Sequence, residues 1–312
     1  MTRIFALLAL ALVLTGCALV PDRAAAATSV GISDQDYADF TTPLFKQARF
    51  KRVRYIARWD VARKPGHRGY FDRYVEAAKT NGIEVFVTFS TPFGQRCPRR
   101  PCRLPSVRAY KKAFRAFRKR WPSVRTIAPW NEANHRSQPT WKKPKRAAQY
   151  FNVVRRLCRG CRIVAADVID ESNMVPWVKE FKRHARGERL WGLHNYKDTN
   201  PRRGQTFGGT RRLLRTVRGP VWLTETGGIV AFKLPSGKRL FRYNEARASR
   251  ALKRMFRLAR RYRSRVKRVY IYDWQQSRRR NRFDAGLLRK DGTPRPGYHT
   301  VKGQLAKSSF NP

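Results

Sequence analysis

Residues 125–132 read Arg-Thr-Ile-Ala-Pro-Trp-Asn-Glu, a short apolar run that ends on a glutamate. Residues 220–225 read Pro-Val-Trp-Leu-Thr-Glu and end in the same way. Short apolar runs of this kind are typical of buried strands. The carboxyl ends of the strands of one parallel barrel lie at the same rim, so both carboxylates, Glu132 and Glu225, would meet there. This pairing requires the rest of the chain to form the barrel.

From Thr28 onward, strand-like runs alternate with helix-like runs, and no Pro-, Ser- or Gly-rich linker is long enough to separate two domains. This alternation is typical of a parallel sheet with crossover helices. Strands are predicted at residues 29–33, 52–59, 84–89, 125–130, 162–168, 189–196, 220–224 and 268–274. Helices are predicted at residues 70–80, 107–121, 145–158, 175–185, 210–217, 244–262 and 297–306, with a further helix at 37–48 that Pro43 interrupts.

Eight strands followed by helices in one domain predict an α/β fold, a (β/α)8 TIM barrel over residues 28–312. Such barrels typically need about 250 residues. A doubly wound open sheet is the alternative, but it would require a Gly-rich phosphate turn after its first strand, and Val30-Gly31-Ile32-Ser33-Asp34 is not one. The sequence also has no P-loop, no G-x-S-x-G and no H-E-x-x-H motif, which argues against several classes of enzyme.

Residues 1–27 resemble an export signal, with a basic start, an apolar run over 4–20 and small residues at the end. A membrane-spanning helix is the alternative, and the run is slightly short for one. Leu14-Thr15-Gly16-Cys17 resembles a lipobox, which would anchor a lipoprotein through Cys17, whereas the alanines at 24–27 suit an ordinary signal peptidase. We therefore expect a secreted or cell-surface protein.

Four cysteines remain after the leader is removed, and an even number in an exported chain favours disulfides. We expect Cys97 to pair with Cys102 and Cys158 with Cys161, because the two local pairs would lie in loops at opposite ends of a barrel. The spacings match no standard zinc pattern, and Cys158-Arg159-Gly160-Cys161 has no thioredoxin-like context.

The formal net charge of +50 is extreme and must attract polyanions. The cations are spread along the whole chain, which is compatible with a simple solvated basic surface. An anionic partner, such as an acidic substrate, a cell wall or another polyanion, is the other interpretation. No recognisable nucleic-acid module is present, so specific nucleic-acid binding is not expected.

Period-two alternation predicts which side chains of each strand reach the barrel interior. It puts Glu225 on one face with Val221 and Leu223, and His194 on one face with Tyr196, so that these groups would meet at the top. Three further interior sets follow from the same rule: Ala128 with Trp130 and Glu132, Tyr270 with Tyr272 and Trp274, and Arg54 with Ile56 and Arg58.

Trp130-Asn131-Glu132-Ala133-Asn134 and Leu223-Thr224-Glu225-Thr226-Gly227 resemble the two signature segments of clan A of the retaining glycoside hydrolases. The resemblance implies that Glu132 is the general acid/base and Glu225 the nucleophile, with no metal and no cofactor. Families 39 and 5 are the most similar within the clan. Chemically, a glutamate that is protonated near neutral pH needs a raised pKa, which burial and a nearby carboxylate provide.

By the same resemblance, Asn131 would bind the sugar 2-hydroxyl, and His194 and Tyr196 would orient the nucleophile. Trp274 would form the floor of the subsite. The arginine near the nucleophile could be Arg54 or Arg58, and the neighbouring Trp59 is a further candidate for substrate binding.

The resemblance thus implies a monomeric enzyme of carbohydrate metabolism that degrades a poly- or oligosaccharide. Two alternatives remain open: a barrel that binds carbohydrate or cell wall without turnover, and a basic surface protein that binds polyanions.

Overall fold

The computed structural model describes residues 27–92, 97, 102–202, 208–275 and 282–311. The predicted signal peptide, including Cys17, lies outside these residues except for position 27. The described strands are β1 (Thr28–Ser33), β2 (Arg52–Arg58), β3 (Glu84–Ser90), β4 (Thr126–Ala128), β5 (Arg162–Ile163), β6 (Asp167–Ile169), β7 (Trp191–His194), β8 (Val221–Thr226), β9 (Ala231–Lys233), β10 (Arg239–Phe241), β11 (Val266–Tyr272), β12 (Phe283–Asp284) and β13 (Phe310–Asn311).

The described helices mostly follow the strands of the barrel. They are α1 (Pro43–Ala48), α2 (Pro65–Thr80), α3 (Val107–Arg120), α4 (Pro144–Leu157), α5 (Met174–His184), α6 (Tyr196–Thr199), α7 (Gly209–Thr216), α8 (Glu245–Arg261) and α9 (Pro296–Leu305), with 3-10 turns at Tyr37–Thr41 and Val61–Arg63. None of the helices in the described ranges is both long and apolar enough to cross a membrane.

The main sheet runs in the order β5-β4-β3-β2-β1-β11-β8-β7-β6, with every neighbouring pair parallel. Its two edges, β5 and β6, are parts of one strand position, and the residues between them close the ring. Val164 N–H donates to the Ile127 carbonyl at 2.9 Å on one side, and Ala165 N–H donates to the Leu190 carbonyl at 2.8 Å on the other. The predicted single-domain (β/α)8 barrel is therefore confirmed.

Proline explains two differences between the predicted and observed boundaries. The fourth strand was expected to reach Trp130 but ends at Ala128, because Pro129 has no N–H to donate to a sheet. The second helix was expected to begin at Tyr70 but begins at Pro65, a residue that fits the first helical turn. Pro43 divides the predicted helix 37–48, as expected.

The barrel interior is filled in layers. At the amino-terminal end of the strands, the Glu84 carboxylate accepts hydrogen bonds from Arg268 at 2.8 Å, Arg162 at 3.0 Å and Thr126 at 2.7 Å. The middle layer is apolar and consists of Phe86, Ala128, Val164, Leu190, Trp222 and Tyr270. The polar candidate site lies above this layer, so the apolar middle layer separates the polar groups at the two ends of the barrel.

The alternation rule gave the wrong face for part of β8, the seventh barrel strand. Trp222 lies in the inner layer, whereas Val221 and Leu223 belong to the outer core between sheet and helices. The register shifts afterwards, because Val269 and Ile271 of β11 pair with Leu223 and Thr226 of β8. Three steps on β8 therefore match two on β11, a bulge that turns Glu225 inward.

A second, antiparallel sheet has the strand order β10-β9-β12. Strands β9 and β10 lie between β8 and α8 in the chain, and β12 follows β11. Two disulfides tie loops of the structure. Cys97 is bonded to Cys102 with Cα atoms 4.9 Å apart, and Cys158 is bonded to Cys161 with Cα atoms 5.5 Å apart.

Candidate active site

The Arg54 guanidinium is fully buried at the centre of the polar end of the barrel. It donates to Glu225 Oε2 at 2.7 Å, to Asn131 Oδ1 at 2.6 Å and to Asp167 Oδ2 at 3.1 Å. A planar guanidinium presents several donors in fixed directions, so it can hold three acceptors on three strand ends at once. Of the two arginines considered from the sequence, Arg54 is the one that contacts Glu225.

Asp167 is a buried carboxylate of this centre that was not among the candidate site residues. Besides Arg54, it accepts hydrogen bonds from Thr88 at 3.0 Å and from Thr224. Burial acts to raise its pKa, but the charges of His194 and Arg54 outweigh burial and hold the pKa of Asp167 well below its ordinary value. Its position at the end of the fifth barrel strand was the signal that could have identified it.

The His194 ring is fully buried between carboxylates. Nδ1 lies 3.2 Å from Glu132 Oε1 and 3.8 Å from Glu225 Oε2, and Nε2 lies 3.2 Å from Asp167 Oδ1. Burial acts to lower the pKa of His194, but the negative charges of Glu225 and Asp167 raise it to about 10. The raised pKa favours the imidazolium, whose Nε2 also lies 3.3 Å from Arg54 Nη2, a like-charged neighbour.

Glu132 reaches the site by an unusual backbone conformation. Its φ of 43° lies in the left-handed region, which is uncommon for a residue with a side chain. Trp130, expected on the same interior face, instead packs outside the barrel against Tyr150 at 5.3 Å between ring centroids. The left-handed turn therefore points the Glu132 side chain back over the rim.

The pKa of Glu132 is shifted in the direction opposite to the expected one. Burial acts to raise it, but the hydrogen bond and charge of His194 and the charges of His135 and Arg54 together hold it below its ordinary value. In the free protein Glu132 is therefore ionised at neutral pH.

Tyr196 follows β7 at the start of α6, and its hydroxyl donates to Glu225 Oε1 at 3.0 Å. Burial and the neighbouring Glu225 charge raise the pKa of Tyr196 well above its ordinary value, which keeps the phenol protonated as a donor. With Arg54 on Oε2, both oxygens of Glu225 are held.

Oxygen atoms of Glu132 and Glu225 and a ring nitrogen of His194 lie within 4.8 Å of one another. Such a spacing could hold a metal ion, but a histidine ligand must be neutral. The raised pKa of His194 and the Arg54 cation on Glu225 oppose that use. Two carboxylates at this separation suit a double displacement at a sugar carbon, for which about 5 Å is typical.

A cavity of about 970 Å³ opens above these two carboxylates. Tyr272, at the end of β11, lines it together with Glu132, Glu225 and Tyr196. On one side the lining is polar and comes from Asp170, Glu171, Lys197 and Arg202, while the three-stranded sheet lines the other side.

Three of the predicted substrate-binding residues lie elsewhere. Trp274 is 0% exposed and packs against Phe45 at 5.1 Å, so no sugar can stack on it in this structure, and Tyr272 occupies the place expected for it. Arg58 forms an ion pair with Asp60, and Trp59 packs beside Tyr110. Neither Arg58 nor Trp59 lines the cavity.

Solved structures with the same fold include several enzymes that act on sugars. A GH10 endoxylanase from a sugarcane soil metagenome superposes with a TM-score of 0.62 at 13% identity, over 90% of this chain and 97% of that chain. Xylanase B from Clostridium stercorarium F9 gives 0.60 at 12% identity, over 88% and 96%. A family 1 β-glucosidase from Thermotoga maritima gives 0.59 at 10% identity, over 88% and 86%.

These matches show the fold. They do not favour the expected nearness to families 39 and 5, since GH10 and family 1 enzymes are among them. No protein-family model matches the sequence, and no curated protein matches it either.

Proposed function

We propose that this protein is a retaining glycoside hydrolase of clan A, with Glu225 as nucleophile and Glu132 as general acid/base. The observation that carries the proposal is that one carboxylate oxygen of Glu132 lies within 4.8 Å of one of Glu225 at the carboxyl-terminal rim of the barrel. The fold shared with xylanases and a β-glucosidase adds support. A wider separation would instead have left room for a water between them.

In the first step, Glu225 attacks the anomeric carbon while Glu132 protonates the leaving oxygen, so the glycosidic bond breaks and an ester to Glu225 forms. In the second step, Glu132 removes a proton from water, which attacks the same carbon and releases Glu225. Arg54 and Tyr196 keep the nucleophile ionised and oriented. Asn131 receives Arg54 on its oxygen, so its amide N–H groups remain to bind a sugar hydroxyl.

The ionised Glu132 of the free protein must gain a proton before it can act as an acid. Bound substrate displaces water from the cavity, and burial is the influence that raises the pKa of Glu132. The imidazolium of His194, 3.2 Å away, opposes this protonation, because its charge favours the ionised carboxylate. We therefore propose that Glu132 takes its proton from solvent and that desolvation by the substrate outweighs the charge of His194.

The deciding experiment is a glycan-panel hydrolysis assay on the wild type, Glu132→Ala and Glu225→Ala, with anomeric NMR of the first product. We expect retention of configuration and losses of activity of several orders of magnitude in both variants. Glu180→Ala on α5 is the control carboxylate, since Glu180 pairs with Arg183 at 2.7 Å and does not line the cavity. Inversion of configuration would contradict the assignment, and function that survives Glu225→Gln would favour a non-catalytic binding barrel.

We further propose that the enzyme is exported, acts as a monomer and associates with polyanions through its basic surface. The disulfides are compatible with export. Three arginines converge on Glu84, and Lys79 and Arg125 line the adjoining cavity of about 470 Å³, so positive charge is in excess there. Binding to heparin that weakens steeply with salt is expected. Salt-independent binding would contradict the association without touching the catalytic proposal.

A further inference from the structure

The small sheet presents an apolar wall to the cavity. Phe232, Leu234, Leu240 and Phe241 come from β9, β10 and their connection, and Phe283 comes from β12. All five are only partly covered.

The wall reaches Glu225, the proposed nucleophile, through a series of ring contacts. Phe232 packs edge-on against Phe283 at 5.3 Å, and Phe283 packs against Tyr196 at 5.3 Å and Tyr272 at 5.9 Å. Tyr196 in turn donates to Glu225. A continuous row of apolar side chains, the apolar track, therefore leads from the β9–β10 hairpin to Glu225.

The composition of this track distinguishes between two kinds of occupant. Aromatic rings alone would suit a sugar, which can stack on their faces. Leu234 and Leu240 offer neither a face nor a hydrogen bond, so a sugar hydroxyl placed against them would lose its water without compensation. An alkyl or aryl group placed there would gain by burial, and a cavity of about 970 Å³ leaves room for it beside a sugar.

We infer that the natural substrate is a glycoside whose leaving group is apolar, an alkyl or aryl aglycone that packs against the apolar wall of the small sheet. This inference rests on the proposed hydrolase function. The polar side of the cavity, with Asp170, Glu171 and Lys197, provides partners for the sugar. On cleavage, Glu132 protonates the oxygen of the departing apolar alcohol or phenol, and water supplies the hydroxyl that returns to the sugar.

A binding measurement on an inactive variant tests the apolar wall independently of catalysis. The affinities of butyl, hexyl and octyl β-D-glucosides and β-D-xylosides for the Glu225→Gln variant are measured by calorimetry below their micelle concentrations. We expect up to about four-fold tighter binding per methylene, which corresponds to ~0.8 kcal/mol for a buried methylene. Affinity that does not change with chain length would overturn the inference.

The position of the bound apolar group is tested by adding Leu240→Ser or Phe232→Ser to the Glu225→Gln variant. Either substitution should reduce the dependence of affinity on alkyl chain length. Leu305→Ser on α9 is the control, since Leu305 is also partly covered but does not line the cavity. Thermal unfolding followed by circular dichroism identifies a variant that has lost its fold, and Leu240→Ala is then the milder replacement. If affinity still rises with alkyl chain length in folded Leu240→Ser and Phe232→Ser variants, the apolar group does not bind at this wall.

Turnover separates this inference from the proposed function. We expect kcat/KM of the active enzyme to be at least ten-fold higher for octyl or aryl glycosides than for disaccharides of the same sugar. If disaccharides are cleaved equally well, the inference fails and the hydrolase proposal stands. If nothing in the panel is cleaved, the hydrolase proposal fails, and with it the assignment of the apolar group as a leaving group.

Discussion

Nδ1 of His194 lies 3.2 Å from Oε1 of Glu132, and the histidine ring has no exposed surface. This contact puts a buried positive charge against the group proposed as acid/base. The proton balance of the site is therefore set by a pair of residues rather than by one glutamate alone.

Replacing His194 by Asn should move the alkaline limb of the kcat/KM profile to higher pH. His194 lowers the pKa of Glu132, so without the imidazolium that pKa rises and Glu132 remains protonated to a higher pH. Rates measured from pH 4 to 10 check this. His135→Asn is the control, with a smaller shift in the same direction, because its ring lies 3.6 Å from Glu132 and is partly exposed. An alkaline limb that stays in place in His194→Asn would contradict the pairing.

Arg54→Met should lower the free energy of unfolding by about 3–5 kcal/mol, because it removes one of the two cations that compensate the buried Asp167 carboxylate and leaves only His194. Urea unfolding followed by tryptophan fluorescence measures the change. Adding Asp167→Asn should recover part of the loss, since the uncompensated charge is then removed. Arg120→Met breaks the solvent-exposed pair with Asp72 and should cost no more than about 1 kcal/mol. Equal losses of unfolding free energy in Arg54→Met and Arg120→Met would contradict the role of Arg54 in compensating the buried carboxylate.

Glu132→Gly should be more stable than Glu132→Ala, the reverse of the usual order. Glycine adopts a φ of 43° without steric cost, whereas alanine retains the strain. We expect a difference of about 1 kcal/mol in the free energy of unfolding, with both variants inactive. The same two substitutions at Glu171 should favour alanine or show no difference. Alanine proving the more stable at 132 would mean that the backbone there relaxes.

Gly192→Ala should destabilise the barrel and reduce activity, because a Cβ there would lie 2.6 Å from Asp167 Oδ1 and 2.8 Å from Val164 Cγ1. Overpacking of this kind costs about 1–3 kcal/mol. Gly66→Ala, in the first turn of α2 with nothing within 4 Å, should be neutral or stabilising. Thermal unfolding of both variants measures the contrast, and similar melting temperatures would mean that Asp167 can move aside.

The alternation of strands and helices was sufficient to predict the barrel, because each crossover helix has a clear amphipathic pattern and the strands are buried runs. The short fourth strand and the divided fifth strand were harder to delimit. Pro129 ends the hydrogen bonding of β4 early. Residues 164–166 form backbone hydrogen bonds to the fourth barrel strand on one side and to residues at β7 on the other. Boundaries of this kind depend on tertiary pairing, which local propensity does not contain.

The candidate site was less predictable than the fold. Alternation assumes one side-chain direction change per residue, and the bulge in β8 and the left-handed Glu132 both break that assumption. The sequence also gave no means of distinguishing Trp274, which is buried against Phe45, from Tyr272, which lines the cavity. Asp167, at the end of the fifth barrel strand, was interpreted from the sequence as a structural or subsite residue, because its partners come from four separate strands that the sequence does not connect.

The apolar hairpin begins and ends at neighbouring points of the backbone. Asn244 N–H donates to the Val230 carbonyl at 3.0 Å, and Val230 N–H donates to the Asp284 carbonyl at 2.8 Å. The two ends of segment 231–243 therefore join the barrel at neighbouring backbone positions. A lineage could lengthen, shorten or replace this segment without rebuilding the barrel or moving its glutamates, so that substrate preference could diverge much faster than the chemistry.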